Sequence, residues 1–126
     1  MDFNKLCTAE AHENGAELTI LDPIDFTETD FVITLQGRDS KAFRFKNKSN
    51  MSKALNRLQK GETPTDDELD ELDVETLAEC TTGWSGLFDG EREIKFTKEQ
   101  AKKLYLAAPS VREQAERFVK DRENFT

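Results

Sequence analysis

Two stretches near the N-terminus alternate apolar and polar positions with the period of a half-buried strand. In Ala16–Leu21 the alternating residues are Leu18 and Ile20, and in Phe31–Gln36 they are Phe31, Ile33 and Leu35. Between them, Asp22-Pro23-Ile24-Asp25-Phe26-Thr27 is too long for a two-residue hairpin turn and suits a longer loop. Gly37 punctuates the end of the second strand.

From Asp39 onward two periods compete. Phe43-Arg44-Phe45-Lys46 alternates as a strand does, whereas Phe43, Met51, Ala54, Leu55 and Leu58 fit one helical face. The helical reading is preferred: Ser40 is a suitable cap, the helix runs to about Lys60, and Gly61 is its stop. Residues 61–64 then form a linker. Thr65-Asp66-Asp67-Glu68 is a capping box whose acidic first turn suits the positive end of the helix dipole. The helix it opens runs to about Cys80 with a stripe of Leu69, Leu72 and Leu77, and Val74 falls to one side.

Thr82-Gly83-Trp84-Ser85-Gly86 breaks that helix. Leu87-Phe88 and Ile94–Phe96 flank Asp89-Gly90, a tight-turn pair that predicts a short hairpin or an extended loop. Thr97-Lys98-Glu99-Gln100 is a second capping box, before a helix with Ala101, Leu104 and Tyr105 inward and Pro109 as its stop. Ser110-Val111-Arg112-Glu113 is a third, opening a last helix with Val111, Ala115, Phe118, Val119, Arg122 and Phe125 on one face. The expected fold class is α+β: a single domain over 1–126, with a small N-terminal antiparallel β-sheet followed by a mainly α-helical C-terminal part. Within it, 1–38 is β-rich, 39–80 holds two helices, and 81–126 holds the tryptophan segment, a hairpin and two helices.

Composition narrows the chemistry. The 126 residues are one domain's worth. Apolar residues make up 36% and charged residues 35%, so the core is small for the length. The formal charge of −8 opposes general nucleic-acid binding, which needs basic surface. That charge is segregated: residues 1–37 carry −7, 38–60 carry +7, 61–79 carry −9 and 80–126 carry +1. The simplest reading is a set of solvated faces that neutralise one another within the fold; the other is a surface for docking a partner. Phe43 and Phe45 lie between cations, as in a single-strand-binding surface, but the flanking acidic blocks would repel phosphate.

No membrane-spanning run and no secretory signal pattern occurs. Cys7 and Cys80 are isolated, which fits reduced thiols in a cytoplasm without metal-ligand spacing. The single histidine, His12, lies in a polar stretch expected to be mobile, and no catalytic or nucleotide-binding motif is present. An enzyme would have to work with carboxylates alone. Asp66, Asp70, Asp73, Glu75 and Glu79 read as solvated helix carboxylates, and a calcium loop lacks its turning glycine. No catalytic residue, cofactor site or metal site is assigned. Trp84, between glycines, reads first as a core anchor under the last two helices and second as a binding hot spot.

The C-terminal half carries a further pattern: Gly83-Trp84, Leu87, Asp89-Gly90, Ile94, Phe96-Thr97, Ala101, Leu104-Tyr105, Val111-Arg112-Glu113-Gln114, Phe118-Val119 and Asn124-Phe125. It resembles the tail assembly chaperones of long-tailed bacteriophages. A weaker echo lies in Asp22-Pro23 and in Gly37-Arg38-Asp39-Ser40 opening a helix, while 46–79 fall outside the pattern. The resemblance implies a non-enzymatic protein of the infected host cell's cytoplasm. It would bind the largely helical tape measure protein, keep it soluble, help recruit the tail tube protein, and be absent from the mature virion. It also raises a longer frameshifted product as a family feature. The expected partner-binding residues are Leu69, Leu72, Leu77 and Trp84, an apolar set suited to a client helix. The competing readings are a structural minor tail or tail-completion protein and a carboxylate hydrolase. The latter requires a buried carboxylate with a raised pKa.

Overall fold

The computed structural model describes residues 1–126. Two short helices come first, α1 (Phe3–Leu6) and α2 (Ala9–Asn14), so the N-terminal stretch expected to be mobile is helical and His12 lies within it. Strands β1 (Ala16–Leu21) and β2 (Glu28–Leu35) then pair antiparallel, with Leu18 opposite Ile33 and Ala16 opposite Leu35. The α3 helix (Lys41–Gln59) is followed by α4 (Asp66–Cys80), and the chain passes directly into β3 (Thr81–Ser85). This third strand completes an antiparallel sheet of order β1-β2-β3, placing Trp84 opposite Ile33. Sequence pattern gave only a break there, because a strand of Thr, Gly, Trp and Ser lacks apolar alternation and takes its pairing from distant β2. The two-residue strands β4 (Phe88–Asp89) and β5 (Arg92–Glu93) form a short hairpin, with Asp89 paired in the first strand and the second strand ending before Ile94. Helices α5 (Lys98–Ala107) and α6 (Pro109–Lys120) and a 3-10 turn at Arg122–Asn124 close the chain. The architecture is α+β, with the sheet toward the N-terminus and helices following.

The core forms where one face of the sheet meets α4, α5 and α6. Ile20, Phe31, Ile33 and Leu35 pack there with Val74, Leu77, Ala78, Ala101, Tyr105, Ala115 and Val119. Val74 is therefore core, not off to one side. Its position joins Leu77 and Ala78 on the face of α4 that turns inward. Tyr105 is fully buried, and its hydroxyl lies 2.7 Å from the Thr81 Oγ, which itself donates to the Leu77 carbonyl at 2.7 Å. Burial pushes the tyrosine pKa up to about 12, so this phenol remains a donor at any working pH.

Local caps fix the helix ends. Ser40, Thr65 and Thr97 each accept from the amide three residues on, opening α3, α4 and α5. The third box is not used: α6 starts at Pro109, whose fixed φ suits the first helical position, and the Ser110 hydroxyl instead accepts from Gln114. Glu68 does not reach back to Thr65 either; its carboxylate pairs with Arg57 of α3. The far end of α4 is closed by Lys98, whose ammonium donates to the carbonyls of Ala78, Glu79 and Thr81 at 2.9, 2.9 and 2.8 Å. A cation with three donors is well matched to the carbonyls and negative dipole at a helix C-terminus. No helix is long and apolar enough to cross a membrane.

Candidate functional site

The α3–α4 hairpin carries the largest departure from a closed core. One side of α3, with Phe43, Asn50 and Ala54, lies against the rest of the protein. Asn50 is buried and donates to the Leu72 carbonyl and the Thr76 hydroxyl, both at 3.0 Å, which fixes the register of the two helices. Ion pairs reinforce it: Arg57 reaches Glu62 and Glu68, and Lys46 reaches Glu75 at 3.5 Å. The basic and acidic blocks thus neutralise one another in part within the fold. These pairs are exposed or half-exposed, so solvent screening leaves each a minor contribution to stability.

The same helix leaves a second apolar row without a partner. Met51, Leu55 and Leu58 stand at i, i+4 and i+7, and are 59%, 57% and 54% exposed. Sequence periodicity grouped them with Phe43 and Ala54, but at 100° per residue they form a separate ridge beside the packed face. Lys41, Arg44 and Lys48 extend this ridge toward the start of the helix, and none of the three pairs with a carboxylate.

The four residues expected to bind a partner do not share one surface. Leu77 is core, Leu72 is half-buried behind Asn50, and Leu69 is exposed on the first half of α4. Trp84 is half-buried on β3, edge-on to Phe31 and Phe96 with centroids 5.8 and 5.1 Å away. Its indole donates to the Ile94 carbonyl at 2.9 Å, so the ring ties the hairpin segment to the sheet. As a β3 residue opposite Ile33, it packs against the core cluster that the sheet shares with α4, α5 and α6.

Two polar clusters were not legible from sequence. The first surrounds His12, which is fully buried and stacked on Phe125 with centroids 4.7 Å apart. Its Nδ1 accepts the Asp39 amide at 3.0 Å, and its Nε2 lies 3.5 Å from the Asp39 carboxylate. Arg122 donates twice to that carboxylate, at 2.8 and 3.0 Å, and the Thr8 hydroxyl donates as well. The Arg122 hydrogen bonds lead in holding Asp39 well below the usual carboxylate range. Burial lowers the His12 pKa against the opposing pull of Asp39, keeping the imidazole neutral with its proton on Nε2. Gly37 is required beside it, since a Cβ there would meet the imidazole ring. The cluster joins α2, the loop before α3 and the C-terminal turn.

The second cluster is a cleft of about 50 Å³ between α3, α4 and α6, lined by Phe43, Asp73, Thr76, Leu77 and Glu116 among others. Burial, then the nearby Asp73, raises the Glu116 pKa. A raised carboxylate is what the hydrolase reading requires, but this cleft has room for only a few water molecules and is far below ligand-pocket size. Glu116 therefore reads as a carboxylate held unfavourably at a helix junction. No protein-family model, curated protein or solved structure matches this chain, so the resemblance to tail assembly chaperones rests on the residues quoted above.

Proposed function

We propose that this chain is a bacteriophage tail assembly chaperone acting in the host cell cytoplasm. It binds the tape measure protein, keeps it soluble, helps recruit tail tube subunits, works without catalysis, and is absent from the mature virion. The observation that carries the reading is the exposed Met51–Leu55–Leu58 ridge, an i, i+4, i+7 row of the kind that seats a client helix. Leu69 adds an exposed apolar residue on α4, 45% accessible. The net charge of −8 favours solubility while such a surface stays open.

The energies are of a useful size. Fully burying a Leu or Met side chain is worth about 1.5–3 kcal/mol, and somewhat more than half of each ridge residue remains to be buried. The row therefore offers about 3–4 kcal/mol to a client, a factor of several hundred in affinity. Co-expression with a tape measure protein tests the reading. A soluble client that co-purifies with the wild-type chain, and aggregates with a folded Met51→Ser/Leu55→Ser variant, supports it. An insoluble client together with this chain in purified particles would replace it with a structural tail protein.

A further inference from the structure

The ridge on α3 has two halves, and the second says what the client must look like. Lys41, Arg44 and Lys48 occupy the first two turns on the same side of the helix as Met51, Leu55 and Leu58. Elsewhere on this hairpin, Lys46 meets Glu75 and Arg57 meets Glu62 and Glu68, while Lys53 and Lys60 stand without a carboxylate partner. On the ridge side, the side chains of Lys41, Arg44 and Lys48 pair with no carboxylate either, although α4 offers a surplus of acidic residues. Geometry accounts for this, because the ridge side faces away from the surface that α4 occupies.

We infer that the α3 ridge receives an amphipathic helix of another protein that has carboxylates beside its apolar stripe. This deepens the proposed function by naming the chemistry of the client segment, and it rests on that reading. Helical rise sets the spacing. The centres of the basic and apolar halves lie about ten residues apart, or roughly 15–16 Å at 1.5 Å per residue. A matching client helix places one or two carboxylates two to three turns from its apolar anchors. The narrowness of the row favours a helix over a lipid surface: Met51, Leu55 and Leu58 make a ridge one residue wide, flanked by Asn47, Ser52 and Gln59. A ridge of that width fits between the side-chain rows of a second helix.

The test uses the full chain and two synthetic helices with the same leucine stripe, one flanked by glutamates and the other by lysines. At low salt the glutamate helix is expected to bind at least about tenfold tighter, with the difference shrinking as salt rises to physiological strength. Arg44→Glu/Lys48→Glu, both solvent-exposed changes, should invert the preference while the circular dichroism spectrum is unchanged. Equal binding of both helices would overturn the charge inference and leave the apolar client surface standing. Failure of both helices, while the tape measure protein is still held soluble, would overturn the assignment to α3 and leave the chaperone reading standing. Two other outcomes would also overturn it: binding to phosphatidylserine vesicles without peptide binding, or concentration-dependent self-association abolished by Lys48→Glu.

Discussion

Asp39 offers the sharpest test of how the chain ends are held. Its carboxylate takes two bonds from Arg122 and one from Thr8, and lies beside the Nε2 of buried His12. Replacing it with alanine removes all of these while keeping the Asp39 amide bond to His12 Nδ1. The Arg122 side chain is 53% exposed, so solvent screens that pair and it adds little despite its fork geometry. The half-buried hydroxyl–carboxylate bond adds about 1–1.5 kcal/mol. Asp39→Ala should thus cost about 1–2 kcal/mol, an appreciable part of a total of about 5–15 kcal/mol. Urea unfolding at neutral pH measures it as a lower midpoint with an unchanged slope. In a double-mutant cycle, Asp39→Ala and Arg122→Gln should show a favourable coupling that shrinks as salt rises. The pH dependence has a fixed sign. Because the folded-state pKa of Asp39 is depressed, its contribution is fully present above the unfolded value near 4 and fades as pH falls below it. Wild type and variant should therefore converge on acidification. A cost under 0.5 kcal/mol, or one that stays constant from pH 6 to pH 3, would refute the reasoning.

Three further outcomes follow from the packing. Lys98→Met removes a cation donating to three carbonyls at the end of α4, and should cost about 1–2 kcal/mol by chemical denaturation, with the exposed ammonium discounted. Trp84→Ala deletes the ring between Phe31 and Phe96 and its bond to Ile94, and should cost about 3 kcal/mol; a fully stable variant would remove Trp84 from the structural frame. Glu116→Gln should stabilise the protein at pH 7. A raised folded-state pKa makes the ionised form unfavourable above the unfolded value, and the gain should vanish in thermal melts below about pH 4.

What could be read from sequence was local. The strand at Ala16–Leu21 and the openings of α3, α4 and α5 at Ser40, Thr65 and Thr97 follow from alternation and caps that lie within a few residues. Pro109 shows the limit of a motif, since its position at the first turn of α6 makes the Ser110 box redundant. His12 was misjudged because its sequence neighbours carry no large apolar side chain, only Ala9 and Ala11 among polar residues. Its burial comes from Phe125 at the other end of the chain and from Gly37 between them. The candidate surface was half legible: the apolar period of α3 is plain, but period alone does not say which apolar residues will find partners. Phe43 and Ala54 meet the rest of the fold, while Met51, Leu55 and Leu58 do not.

The central claim is that the α3 ridge is the surface that holds a helical client, and site-specific photo-crosslinking tests it most directly. A photoreactive side chain at position 55, in the ridge, is compared with one at position 88, an exposed apolar site in the β4–β5 hairpin. With the tape measure protein co-expressed, crosslinks are expected at 55 and not at 88, and they should disappear when Met51 and Leu58 are changed to serine. Crosslinks at 88 alone, in a complex that still forms, would contradict the account.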